Sequence, residues 1–97
     1  MAYQITWTEK ANIERQHILQ FWVEHNKSKI FSSKLDKLFI SAIRDLSKNP
    51  NIGRKTEFVN VRVKIVREYL IFYEVIKKEL VIISIWDGRR DKKNFKI

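Results

Sequence analysis

The sequence contains no cysteine. A disulfide framework, a thiolate metal site and a thiol nucleophile are thereby excluded, and the composition suits a reducing compartment, so a cytoplasmic protein is expected. Glycine is nearly as scarce, with only Gly53 and Gly88 in the chain, which leaves no glycine-rich loop to cradle phosphates. Pro50 is the single proline. The two histidines, His17 and His25, have no His, Cys or carboxylate cluster at ligand spacing, so neither a metal site nor a cofactor is expected. Both lie toward the N-terminus, which leaves the C-terminal half without a histidine general base. Apolar runs extend for a few residues, far short of the roughly 20 that a membrane-spanning helix needs. The opening Met1-Ala2-Tyr3-Gln4-Ile5 lacks a basic segment followed by a long apolar one, so no signal peptide is expected.

What the chain has in abundance is positive charge. Lys and Arg number 20 against 11 Asp and Glu, a formal charge of +9 in 97 residues. An excess of this size exceeds what solubility asks of one small domain and points to a polyanionic partner: nucleic acid, a nucleoprotein particle or an acidic protein segment. The length suits one domain, residues 1–97.

Hydrophobic periodicity divides that domain clearly. Tyr3, Ile5 and Trp7 alternate with Gln4, Thr6 and Thr8 as a strand does. Thr8 then reads as the N-cap of a helix reaching His25, with Ala11, Ile18, Leu19 and Trp22 at helical spacing and Asn26 closing it. A second helix opens at Ser28. Its apolar stripe is Phe31, Leu35, Leu38, Phe39, Ala42, Ile43 and Leu46, with Lys34, Lys37, Ser41, Arg44 and Lys48 outside it, and Asn49-Pro50 stops it. So short a connection predicts an antiparallel helical hairpin.

Residues 51–57 read as a loop, after which the period becomes two. Val59, Val61, Val63 and Ile65 alternate with Asn60, Arg62 and Lys64; Tyr69 to Ile76 and Leu80 to Trp86 follow as β-branched and aromatic runs, with turns near Arg67-Glu68 and Lys77-Lys78. The expected fold class is α+β, β-α-α-β-β-β, with the helical hairpin packed on one face of a mainly antiparallel four-stranded sheet. The opposite sheet face is where function is expected.

Basic residues accompany this sheet. Arg62 and Lys64 share a parity, Arg67 lies at the following turn, and Arg89, Arg90, Lys92, Lys93 and Lys96 follow the last strand. Drawn together on the open face by the tail, they would form a basic concavity able to grip phosphate. A solvated edge and a frayed tail are the plainer account, above all for the tail lysines. Phe72 and Trp86 are expected to pack; a tyrosine on the open face, Tyr69 or Tyr73, would be the better candidate for stacking on a base. Asp87-Gly88 signals a turn, and Glu74 and Asp91 are expected to pair with arginines rather than act on a substrate.

Pro50, Gly53 and Arg54 after the second helix, then Val61-Arg62, Tyr69-Leu70-Ile71-Phe72-Tyr73-Glu74 and Ile83-Ser84-Ile85-Trp86-Asp87-Gly88-Arg89-Arg90-Asp91, come in an order that resembles the RelE/ParE superfamily of toxins from type II toxin–antitoxin systems, the plasmid stabilisation proteins. The resemblance covers nearly the whole chain. It implies a growth-arresting toxin held inactive by an adjacently encoded antitoxin, which charge complementarity predicts to be acidic. RelE-like members cleave mRNA in the ribosomal A site, and ParE-like members poison DNA gyrase.

In a RelE-like nuclease here, Arg62, Arg90 and Tyr69 would be the catalytic candidates, while Lys64, Arg67, Arg89, Lys92 and Lys93 would bind the target or nucleic acid. The RelE-like pattern places an arginine where this chain has Leu70 and a tyrosine where the tail offers Phe95. The Trp86-Asp87-Gly88-Arg89-Arg90 ending is closer to the ParE-like branch. The leading expectation is therefore a ParE-like gyrase inhibitor; the alternatives are a ribosome-dependent endoribonuclease and a non-toxic basic nucleic-acid-binding module. The sequence leaves monomer or dimer open.

Overall fold

A computed structural model describes residues 2–89. Strand β1 (Gln4–Trp7) leads into helix α1 (Glu9–Asn26) and helix α2 (Ile30–Lys48). A single 3-10 turn (Pro50–Ile52) precedes β2 (Arg54–Lys55), β3 (Val61–Val66), β4 (Tyr69–Ile76) and β5 (Glu79–Asp87). The sheet order is β1-β5-β4-β3-β2. This corrects the expected four-stranded, mainly antiparallel sheet. It has five strands and is mixed, because β1 pairs parallel to β5 while the other pairings are antiparallel. The added strand, β2, falls in the segment read as a loop; two residues are too few to show a period.

Thr8 caps α1 as expected, its hydroxyl accepting from the Ala11 N–H at 3.1 Å while donating toward the carbonyls of Ile82 and Ile83. One threonine thus ends β1, starts α1 and fixes both to β5. The left-handed cap at the other end falls on Lys27, one residue beyond Asn26. The helices pack as an antiparallel pair. Arg15 forks onto Asp36 through two 2.8 Å bonds, and the Ser32 hydroxyl donates to the Leu19 carbonyl at 2.9 Å.

The core lies between α2 and the sheet. Leu35, Phe39, Ile43 and Leu46 bury the predicted stripe of α2 against Tyr69, Ile71, Tyr73, Leu80, Ile82 and Ile85. Leu38, placed in that stripe by spacing, is instead exposed. Truncating a side chain such as Phe39 to alanine would cost about 3–5 kcal/mol.

The spacing Leu80, Ile82, Ile85 breaks strand alternation, and a bulge accounts for it. Phe72 pairs with Ser84 but Tyr73 with Ile82, so Ile83 is an extra residue in β5. That insertion returns Ile85 to the helix side. Beside it, where β1 no longer covers β5, the Glu14 carboxylate accepts from the Ser84 hydroxyl (2.9 Å) and the Ile85 N–H (3.1 Å).

Candidate functional site

Register decides which side of the sheet each candidate occupies, since residues directly opposite one another share a face. Arg62 pairs with Tyr73, Lys64 with Ile71 and Val66 with Tyr69. All three partners point into the helix-packed core. Arg62 and Lys64 do share a side, but it is the helix side, at the sheet margin. The other face carries Val61, Val63 and Ile65 from β3, Leu70, Phe72 and Glu74 from β4, and Trp86 from β5. The face expected to be basic is therefore largely apolar. The physical reason is that β3 lies near the sheet margin, where a long cationic side chain on the helix side reaches past the helices to solvent.

Arg62 is occupied. Its guanidinium donates to the Gly53 carbonyl at 2.8 Å. Beside it the Tyr73 hydroxyl donates to the Pro50 carbonyl at 2.6 Å and accepts from the Gly53 N–H at 2.9 Å. These bonds pin the turn after α2 onto the sheet. Burial pushes the Tyr73 phenol above its ordinary pKa, with the Gly53 N–H opposing the shift.

Tyr69 is not on the open face either. It is 3% exposed, accepts a 2.7 Å hydrogen bond from the Trp22 indole and meets the Phe39 ring edge-on at 5.6 Å. Burial raises its phenol pKa as well. Neither Tyr69 nor Tyr73 presents a ring for base stacking. Arg89 is exposed and forks onto Asp87 at 3.0 and 2.8 Å, which holds the guanidinium firmly protonated. The turn carboxylate, not Glu74, is the one that takes this arginine. Gly88 closes the same turn, its N–H donating to the Glu68 carbonyl. Arg67 is exposed at the β3–β4 turn with φ 57°. Arg90, Asp91, Lys92, Lys93, Phe95 and Lys96 lie outside the described residues.

Two hollows flank the sheet, and they divide the candidates. One, of about 560 Å³, lies beside the β2–β3 loop and is lined by Lys55, Phe58, Arg62, Tyr73 and Glu74 among others. The second, of about 330 Å³, lies between α1 and the end of β5, lined by Glu14, His17, Phe21, Tyr69, Trp86 and Arg89 among others. Arg62 thus borders one hollow while Tyr69 and Arg89 border the other. Cleavage of RNA by its own 2′-hydroxyl needs charge stabilisation and proton transfer converging on one phosphate. The described candidates do not converge.

Sequence reasoning missed Glu14, which reads as one more solvent-facing helical carboxylate, and Tyr73 as the anchor of the Pro50–Gly53 turn. The nearby Gly53 was the available signal for the second. Among the described residues no group of three or more His, Cys, Asp or Glu could hold a metal ion, and no helix is long and apolar enough to cross a membrane.

Residues 5–92 match the family model described as ParE toxin of type II toxin–antitoxin system, parDE. Among solved structures, the chain is similar to a chromosomal ParDE toxin–antitoxin system from P. aeruginosa, with a TM-score of 0.77, 22% identity, and coverage of 87% of this chain and 94% of that one. It is also similar to the toxin–antitoxin complex RelBE2 from Mycobacterium tuberculosis, with a TM-score of 0.58, 17% identity, and coverage of 88% and 96%. Comparison with curated proteins yields no match.

Proposed function

Because the chain belongs to the ParE toxin family of type II toxin–antitoxin systems, we propose that it is a growth-arresting toxin that acts in the cytoplasm by binding DNA gyrase rather than by cutting RNA. The observation that carries this reading is the separation of the nuclease candidates. Tyr69 is buried in the core and Arg62 is tied to Gly53 at the far margin of the same, helix-packed side, while the opposite face of the sheet carries the apolar Val63, Ile65 and Leu70. Apolar surface of this kind suits contact with a protein far better than contact with a phosphate.

Its cognate partner is an antitoxin, encoded adjacently and acidic by complementarity to the +9 charge. The solved neighbours, both toxin–antitoxin systems, support that partner. The RelE-like alternative, a ribosome-dependent endoribonuclease, draws on the same positive charge and on Arg90, Lys92 and Lys93 of the tail.

Gyrase supercoiling assayed with the purified chain, with and without its antitoxin, tests the proposal. Inhibition relieved by the antitoxin is expected. Unimpaired supercoiling at a large molar excess of toxin would refute it.

A further inference from the structure

The outer face of α2 is absorbed by neither the fold nor the proposed target. Lys34, Lys37, Ser41, Arg44 and Lys48 recur at steps of three and four residues and are all exposed. At about 100° per residue they fall within an arc of about 80°, forming one straight ridge. From Lys34 to Lys48 the ridge is about 21 Å long at 1.5 Å per residue. None of the four cationic side chains makes an ion pair or hydrogen bond among the described residues. Of the two acids of α2, Asp45 lies on the flank of the line and Asp36 is taken by Arg15.

A surface lysine or two would be ordinary solvation. Here four unpaired cations and a hydroxyl stand about a turn apart on a rigid element, and every group in line is a hydrogen-bond donor. Mutual repulsion along the ridge costs stability, and each cation would be relieved by an external anion. The pattern also narrows the class of polyanion. Binding of single strands draws on aromatic platforms for the bases, and no aromatic residue lies on this ridge. Its four cations stand about one or two helical turns apart, and duplex DNA carries one phosphate charge for about every 1.7 Å of its axis, so each cation can meet a phosphate of its own. Lys, Arg and Ser are the side chains that hold phosphate oxygens without reading sequence.

We propose that the outer face of α2, through Lys34, Lys37, Ser41, Arg44 and Lys48, binds the sugar–phosphate backbone of duplex DNA without sequence preference. The inference rests on α2 alone and holds or fails whatever enzyme the chain arrests.

The test is fluorescence anisotropy of the full-length protein on a random-sequence 20-base-pair duplex, across 50–200 mM KCl. Four phosphate contacts give a slope of about −3.6 in log K against log salt, or roughly a 150-fold loss of affinity over that range. The variant Lys34→Gln/Lys37→Gln/Arg44→Gln/Lys48→Gln is expected to abolish both the binding and the slope. A control, Lys27→Gln/Lys29→Gln/Lys77→Gln/Lys78→Gln, removes the same four charges from exposed turns and is expected to keep them. Glutamine has nearly the helix propensity of lysine and arginine, so α2 stays folded, which circular dichroism verifies. No binding by wild type at 50 mM, an unaltered ridge variant, or equal loss in both variants would each overturn the proposal. So would a ridge variant that keeps DNA binding but no longer co-purifies with the neighbouring antitoxin, since the face would then belong to a protein partner.

Discussion

Gly53 lies directly against the phenol of Tyr73: its N–H donates to the hydroxyl at 2.9 Å, and a Cβ there would come within 2.8 Å of the ring carbons. The glycine is present for space, not for backbone freedom, since its φ is an ordinary −70°. Gly53→Ala is therefore expected to displace the Tyr73 ring and to cost more than Tyr73→Phe. The latter leaves the Gly53 N–H without its partner, at about 1–3 kcal/mol. Urea denaturation of both single variants and the double variant checks this. The double variant should lose less than the sum, because each change breaks the same contact.

Glu14 supports the uncovered half of β5 through Ser84 and Ile85. Replacing it with alanine strands a backbone N–H and a hydroxyl, for an expected loss of about 2–3 kcal/mol. Glu14→Gln keeps one acceptor and should lose less than half of that. Hydrogen exchange at the Ile85 amide should accelerate in the alanine variant and stay near wild type in the glutamine variant.

Alkaline pH should destabilise the protein. Burial raises the phenol pKa of both Tyr69 and Tyr73 above the ordinary value of 10.0. From about pH 10 upward the unfolded chain releases these protons first, so it binds fewer protons than the native state and stability falls as pH rises. Their contribution is fully present below pH 10 and is lost through the higher folded values. Stability measured between pH 8 and 11 should decline, and Tyr69→Phe and Tyr73→Phe should each make that decline shallower.

Arg62 separates a structural from a catalytic role. Its 2.8 Å bond to the Gly53 carbonyl predicts that Arg62→Ala lowers stability by about 1.5–3 kcal/mol, the range for charge-assisted bonds. Growth arrest after induction at low temperature should persist. A fully stable Arg62→Ala variant that no longer arrests growth would show that the guanidinium serves the target instead.

The helical half and the long strands were legible because their patterns are long. Thr8, the α2 stripe apart from Leu38, and the Asn49-Pro50 stop lie where helical spacing and capping chemistry put them, and β4 runs from Tyr69 to Ile76 as read. The candidate face was not legible. Alternation of Val61, Val63 and Ile65 with Arg62 and Lys64 shows that two sides differ, but not which side the helices cover. At a sheet margin the apolar set can face away from the main core, and here it does. Nor does alternation reveal the extra residue at Ile83, which reverses the parity of β5 midway. β2 was missed for its brevity. Tyr69 looked like a surface phenol because its partner, the Trp22 indole, lies 47 residues away in sequence.

The most direct test of the central claim is induced expression in a bacterial host, following growth, plasmid topology and primer extension on translated mRNA in one culture. Growth arrest with relaxed plasmids and uncut messages is the predicted result. Arrest with codon-phased cuts in mRNA and normally supercoiled plasmids would contradict it and make the chain a ribosome-dependent nuclease.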